Sequence, residues 1–194
     1  MFTIEGADKN VNGGNATYVQ NKDGSVTWTN ATEDTKKIGN DMLKTDIGKK
    51  KLNDMIKSDI KVKMKLNTTD VVKTKEGQTL LGKSTPELNK QGKLVGYEMT
   101  VYEKAIKANT EAPAGSCYII DVGGKFGKKL AADVYSLDEH EGATATHEAT
   151  HITDPKSRAF QNPNSTTTEK APYQNQVEYY HELDQQKTQT PQEQ

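Results

Sequence analysis

The chain has 194 residues, 32% hydrophobic and 27% charged, with a formal net charge of −1 at pH 7 and a mean hydropathy of −0.88. That length holds one domain with a small core. The near-neutral charge argues against a general nucleic-acid binder, and a single cysteine, Cys117, excludes an internal disulfide framework. Met1 to Gly6 carry neither a basic start nor an apolar run, so no secretory signal is expected, and no segment is long enough to span a bilayer.

In chain order, Ala16 to Gln20 and Ser25 to Thr29 alternate about the turn Asn21-Lys22-Asp23-Gly24, which predicts a β-hairpin with Trp28 supplying apolar bulk. Asn30 with Glu33 is read as the opening of a helical region. Ile38 and Met42 lie on its inner face, and Leu52, Met55 and Ile56 continue it after a break near Gly48. Ile60, Val62, Met64 and Leu66 alternate with Lys61, Lys63 and Lys65, predicting a strand with one buried and one cationic face. The lysines suit a strand protected against unwanted edge pairing; alternatively, the strand is an edge along which an extended peptide is laid.

Residues 67–96 are rich in Lys, Thr, Gly and Asn and read as a mobile excursion. Strands are expected at Tyr97 to Tyr102 and Tyr118 to Val122, with Cys117 entering the second as a small buried residue. The glycine spacing of Gly123 to Lys129 does not fit a phosphate loop and predicts a turn. A helix is expected before Pro155, with Asp138 and Glu141 as its capping pair. After a polar loop from Asn162 to Thr168, another helix should run from Pro172 to about Gln186 with Tyr173, Val177 and Tyr180 as its stripe. The expected organisation is a single α+β domain over residues 1–184, with a small twisted sheet, and a disordered polar tail over 185–194.

His147-Glu148-Ala149-Thr150-His151 spells HExxH inside the first of these late helices. Two histidines four residues apart stand one turn above each other on one helix face, so both imidazoles can reach a single metal ion. Glu148 is then placed beside the open coordination position, where a carboxylate can take a proton from a metal-bound water. A catalytic zinc site needs a third protein ligand. Glu178, at the edge of the next helix's apolar stripe, is the expected one, with His181 and Glu182 as alternatives. The longer pattern HExxHxxGxxH fails, because Asp154 and Ser157 stand at its glycine and third histidine. Asp154 is then either a residue that helps orient a ligand histidine or simply the end of the helix. His140, Tyr179, Tyr180 and His181 are the candidates to donate a hydrogen bond to a developing oxyanion.

The stretch Thr146 to Ile152, the later Glu178, and an upstream region with Leu43 to Gly48 and Leu52 to Ser58 resemble the zinc metallopeptidase domains at the C-termini of RHS-type polymorphic toxins and related bacterial effectors. The resemblance covers most of the chain loosely, and HExxH is its sharp part. It implies a zincin-like fold with an active-site helix, Zn²⁺ held by His147, His151 and Glu178, and Glu148 as general base in peptide-bond hydrolysis. It also implies a secreted or injected effector domain carried by a larger protein. Such a domain would act on a protein substrate in the cytoplasm of a target cell and have a cognate immunity protein, without nucleic acid or a membrane span. A non-catalytic secreted interaction domain with an incidental or structural metal, and a metal-dependent nuclease toxin, are the alternatives.

Overall fold

A computed structural model of the chain describes residues 2–11, 14–57, 60–110, 117–120, 128–131, 134–158 and 166–189, excepting the side chains of 2, 3, 117–120, 128–131, 166 and 167. The expected hairpin forms as β2 (Thr17–Gln20) and β3 (Val26–Thr29), paired antiparallel, with Gly24 in the left-handed region of its turn. Trp28 leans on α1 (Glu33–Met42), where its Nε1–H donates to Asn40 Oδ1 at 2.9 Å. Thr32, not Asn30, caps α1: its hydroxyl accepts from the Thr35 amide at 3.1 Å. Asn30 instead adopts a positive φ of 54° and uses its side-chain amide to hold the carbonyls of Asp8 and Val11.

The break between the first two helices falls at Leu43 to Thr45, before α2 (Asp46–Ile56), rather than at Gly48. Thr45 is the cap, its hydroxyl accepting from the Gly48 amide. Gly48 is needed for approach rather than for breaking: a Cβ there would stand 2.1 Å from the Met42 carbonyl oxygen.

The main sheet has the order β1 (Phe2–Ile4), β4 (Ile60–Asn67), β6 (Leu94–Tyr102), β5 (Gly82–Leu88). β1, β4 and β6 run parallel, and β5 joins β6 antiparallel. Val62 and Met64 on β4 and Tyr97, Met99 and Val101 on β6 are buried with Ile38, Met42, Leu52 and Met55 of the helices, so alternation on these strands turns one face to a helical layer. β4 is therefore interior in the sheet order, paired with β6 over Lys61–Asn67 and with β1 over Ile60–Val62, and it is not the sheet's edge strand as expected. Its lysines face outward, Lys63 pairing with Glu98 at 3.2 Å and Lys61 donating to Asn15 Oδ1 at 2.6 Å.

β5, inside the stretch read as a mobile excursion, is one edge strand, and β1 is the other. Gly82-Lys83-Ser84-Thr85-Pro86 has no apolar alternation, and pairing with β6 is what makes it a strand. Before it, residues 72–80 fold back on themselves, with the Thr74 amide donating to the Gln78 carbonyl at 2.8 Å and the Leu80 amide to the Val72 carbonyl at 2.9 Å. α3 (Glu103–Thr110) follows β6 directly, and a separate two-stranded sheet pairs β7 (Cys117–Ile120) with β8 (Lys128–Ala131). The expected burial of Cys117 and the turn at Gly123 lie outside what is described.

Two helices complete the layer, α4 (Leu137–Thr153) and α5 (Lys170–Gln189). α4 starts two residues earlier than Asp138 and Glu141 suggest: Ser136 and Glu139 form the capping box, the Ser136 amide donating to Glu139 Oε2 at 2.6 Å and the Glu139 amide to Ser136 Oγ at 3.3 Å. Every residue of α4 from His140 to Thr150 is buried. Small side chains let neighbours approach from all sides, and the hydroxyls of Thr146 and Thr150 donate one turn back to the carbonyls of Gly142 and Thr146, each at 2.8 Å. α5 continues through Gln189, so the described part of the expected tail is helical. No described helix is long and apolar enough to cross a membrane.

α1 is tied to α4 by buried charge. Lys37 Nζ reaches Asp41 at 2.6 Å, Asp138 at 3.0 Å and Glu141, while Lys44 meets Asp41 at 3.1 Å and Asp138 at 3.4 Å. Three carboxylates thus share two ammonium groups. Glu141 is fully buried, and its Oε1 has no hydrogen-bond partner among the described residues. Burial pushes its carboxyl up to about 7, with Asp41 adding and Lys37 opposing. A carboxyl that holds its proton more tightly folded than unfolded withdraws stability as pH rises from its ordinary value of 4.5 towards 7. We expect Glu141→Gln to flatten the fall in melting temperature between pH 5 and pH 8, and to melt above the wild type at pH 8. An unchanged pH slope in thermal melts would remove Glu141 as its source.

Candidate metal centre

α4 presents the HExxH residues to a cleft of about 390 Å³ walled by β5, the 72–80 turn and the start of α5. The two histidines meet as helical spacing requires, Nε2 to Nε2 at 3.1 Å. His151 Nδ1 lies 2.7 Å from the Ser157 carbonyl oxygen and donates to it when protonated there, which turns the Nε2 lone pair into the cleft. Asp154 holds this arrangement from behind. It ends α4, and its carboxylate accepts from the Lys156 amide at 2.9 Å and the Ser157 hydroxyl at 3.1 Å, fixing the turn that carries the Ser157 carbonyl. Asp154 thus ends the helix, and it touches neither histidine directly: it meets His151 only through the Ser157 turn.

The carboxylate that joins the histidines is Glu169. Its Oε2 lies 3.3 Å from Nε2 of both His147 and His151. Glu169 ends the 3₁₀ turn Thr166–Glu169, directly before α5. Glu178, the expected third ligand, is exposed on α5 and stands outside the cluster of His147, His151 and Glu169 that could hold a metal ion. It lies nine residues further along the chain, and at about 1.5 Å of rise per residue a helix carries it well away from the end that meets α4. The alternatives are also engaged elsewhere. Glu182 accepts from the Ile47 amide at 3.1 Å at the start of α2, and His181 is exposed beside Gln185.

The spacing of His147 Nε2, His151 Nε2 and Glu169 Oε2 could accommodate one small cation. Around a tetrahedral ion with bonds of about 2.0 to 2.1 Å, neighbouring ligand atoms stand about 3.3 Å apart, and the observed separations are 3.1, 3.3 and 3.3 Å. The field at the site favours positive charge. Burial works against a charged His151, but Glu169, Glu148 and the Ser157 carbonyl outweigh it and raise the imidazole to about 9. Burial likewise opposes the Glu169 anion, yet the two histidines drive its carboxyl far below the usual carboxylate range. A second acidic group, Asp41 with Asp138 and Glu141, is already matched by Lys37 and Lys44.

Glu148 is buried beside the cluster and is not one of its three members. The Ser84 hydroxyl lies 2.8 Å from Glu148 Oε2 and 2.9 Å from its carbonyl oxygen. Close packing sets the other side: a Cβ on Gly82 would stand 2.8 Å from Glu148 Cγ and from Thr144 Cγ2, so glycine lets β5 run against α4 here.

None of the four expected oxyanion donors faces the cleft. His140 Nδ1 and the Tyr180 hydroxyl bond each other at 2.7 Å, Tyr179 donates to the Asp41 carbonyl, and His181 is exposed. Tyr173 faces it instead, edge-on to the His147 ring with centroids 4.7 Å apart. Burial, then Glu169 and Glu148, raise its hydroxyl, which keeps it a neutral donor. Sequence placed Tyr173 in the apolar stripe of α5; the helix begins at Lys170 rather than Pro172, which puts Tyr173 in its first turn, at the end nearest Glu169. Compared with protein-family models, curated proteins and solved structures, the chain matches none.

Proposed function

We propose that the chain is a zinc-dependent endopeptidase of zincin-like design, the toxic payload of a secreted or injected bacterial effector. The observation that carries the peptidase reading is the tetrahedral spacing of His147 Nε2, His151 Nε2 and Glu169 Oε2 with Glu148 buried next to them. Two imidazoles and one carboxylate are a common donor set for catalytic zinc, and three protein ligands leave a position for water. The effector assignment rests on the resemblance to the toxin domains.

A zinc ion bound there supplies Lewis acidity and a water that ionises near neutral pH. Glu148 would take a proton from the attacking water as its oxygen bonds to the scissile carbonyl carbon and pass it to the amine nitrogen as the C–N bond breaks, and Ser84 keeps the carboxylate aimed at the cleft. Tyr173 donates a hydrogen bond to the substrate carbonyl oxygen as negative charge grows on it. The outer edge of β5, which pairs with no other strand among the described residues, offers main-chain partners to an extended peptide.

The test is metal analysis of protein purified without added zinc. One zinc per chain is expected in the wild type and in Glu178→Ala, with loss in His147→Ala and Glu169→Ala. Full retention in Glu169→Ala with loss in Glu178→Ala would return the third ligand to α5. No zinc in the wild type, even after loading, would sink the reading.

A further inference from the structure

Gln176 on α5 lines the cleft and is only 8% exposed, yet its carboxamide makes no hydrogen bond among the described residues. Thr144 on α4 lines the same cleft and is 4% exposed. Thr146 and Thr150 on that helix donate their hydroxyls to the carbonyl one turn back, a bond that Thr144 does not make. Buried amides and hydroxyls in folded proteins are nearly always satisfied, so an open pair facing a cleft points to a guest.

The contacts between α4 and the segment running from Glu169 into α5 fix the level of this pair. His151 meets Glu169, His147 meets Tyr173, and His140 meets Tyr180. Each step back along α4 is matched by an equal step forward along α5, so the two run antiparallel. Thr144 and Gln176 share the level three residues beyond His147 and Tyr173, about 4.5 Å along the axis. A side chain reaches that far from a backbone lying at the metal cluster. Gly82 on β5 bounds the space, since a Cβ there would stand 2.8 Å from Thr144 Cγ2.

The guest must both donate and accept. A glutamine carboxamide offers two N–H donors and an accepting oxygen, and a threonine hydroxyl does either. An ionised carboxylate only accepts, and on this face it would also meet Glu148, one helical turn from Thr144. An ammonium only donates, and an apolar guest leaves both residues unpaired. A second carboxamide presents a donor and an acceptor side by side, complementary to the first.

We propose that Gln176 and Thr144 form a subsite for the carboxamide side chain of a substrate glutamine or asparagine beside the scissile bond, with Gln176 the specificity-determining residue. This rests on the peptidase reading and names the substrate chemistry of the same cleft.

Short peptide hydroxamates, whose hydroxamate group ligates zinc, carry Gln, Asn, Glu or Met next to that group. Their binding to the zinc-loaded full chain is measured by calorimetry, and peptides with the same four residues at one central position are tested for cleavage. The better of Gln and Asn should bind on the order of tenfold more tightly than Met, with Glu no better than Met. Gln176→Leu should collapse that amide preference to near one, and Thr144→Val should retain only part of it. Both variants should keep one zinc per chain, since neither residue belongs to the cluster of His147, His151 and Glu169.

A preference near one in the wild type, binding of no hydroxamate, or a preference preserved in Gln176→Leu would overturn the proposal. A lowered melting temperature with the preference intact would overturn it in favour of a packing role for Gln176. If Gln176→Leu does not fold, an undiminished preference in Gln176→Asn, which withdraws the amide by one methylene, overturns it equally. Amide-selective hydroxamate binding lost in the variants, without cleavage of any peptide, would remove the peptidase reading and keep this assignment; cleavage without amide preference would do the reverse.

Discussion

If the chain is a zinc peptidase, Glu148→Gln is expected to leave the protein folded and zinc-loaded but to lower peptide hydrolysis by roughly 10³-fold, within the range expected when a positioned general base is removed. Glutamine keeps the shape that packs against Gly82 and still accepts from Ser84, so the wall of the cleft is preserved. Glu148 is not one of the three ligand residues, so metal content is unchanged. What is lost is the group that carries the proton. The same substitution should convert a wild-type domain that harms a susceptible cell, when expressed in its cytoplasm, into a harmless one. Equal harm from both proteins would point to binding or to another chemistry, and equal hydrolysis rates would remove Glu148 from the reaction.

The largest loss of stability is expected at Gly142, where α4 meets α1 and α5. A Cβ there would stand 2.1 Å from the Tyr179 hydroxyl oxygen and 2.6 Å from the Asp41 carbonyl oxygen. Those two atoms are joined by a buried hydrogen bond, and one of them is main chain, so neither can simply swing aside. Gly142→Ala combines overpacking with the breaking of that bond, together about 3 kcal/mol or more. At about 2 to 4 °C per kcal/mol for a chain of this size, the melting temperature should fall by roughly 10 °C. Tyr179→Phe removes the clashing oxygen, so the double variant should lose less than the sum of the two single losses. A Gly142→Ala protein melting within about 2 °C of the wild type would show that α4 and α5 separate more easily than their packing implies.

The parts of the fold that sequence made legible are those where periodicity coincides with burial. β4 alternates cleanly and packs Val62 and Met64 inward, the hairpin has a four-residue turn ending in Gly24, and HExxH brings its histidines together by helical spacing alone. β5 was hidden because strand pairing, not side-chain pattern, creates it; Pro86 was its one hint, since proline in a sheet belongs at an edge. Glu169 was hidden for a related reason. A stripe on α5 locates residues facing the neighbouring helix, whereas Glu169 comes from the turn before α5, outside any such stripe. The caps at Thr32 and Ser136 show the smaller version of this ambiguity, where polar residues close together in sequence compete for one role.

The site has two walls of unequal firmness. On one side, His147, Glu148 and His151 ride a helix whose middle is buried all round, so its amides should exchange with solvent only through near-global opening of the domain. On the other, β5 is bound by a single neighbour and leads from an exposed turn, and its outer amides should exchange through local opening. Room for guests of different bulk therefore comes from the strand and its turn. His147, Glu148 and His151 keep their mutual geometry because they sit on the half of the cleft that moves last.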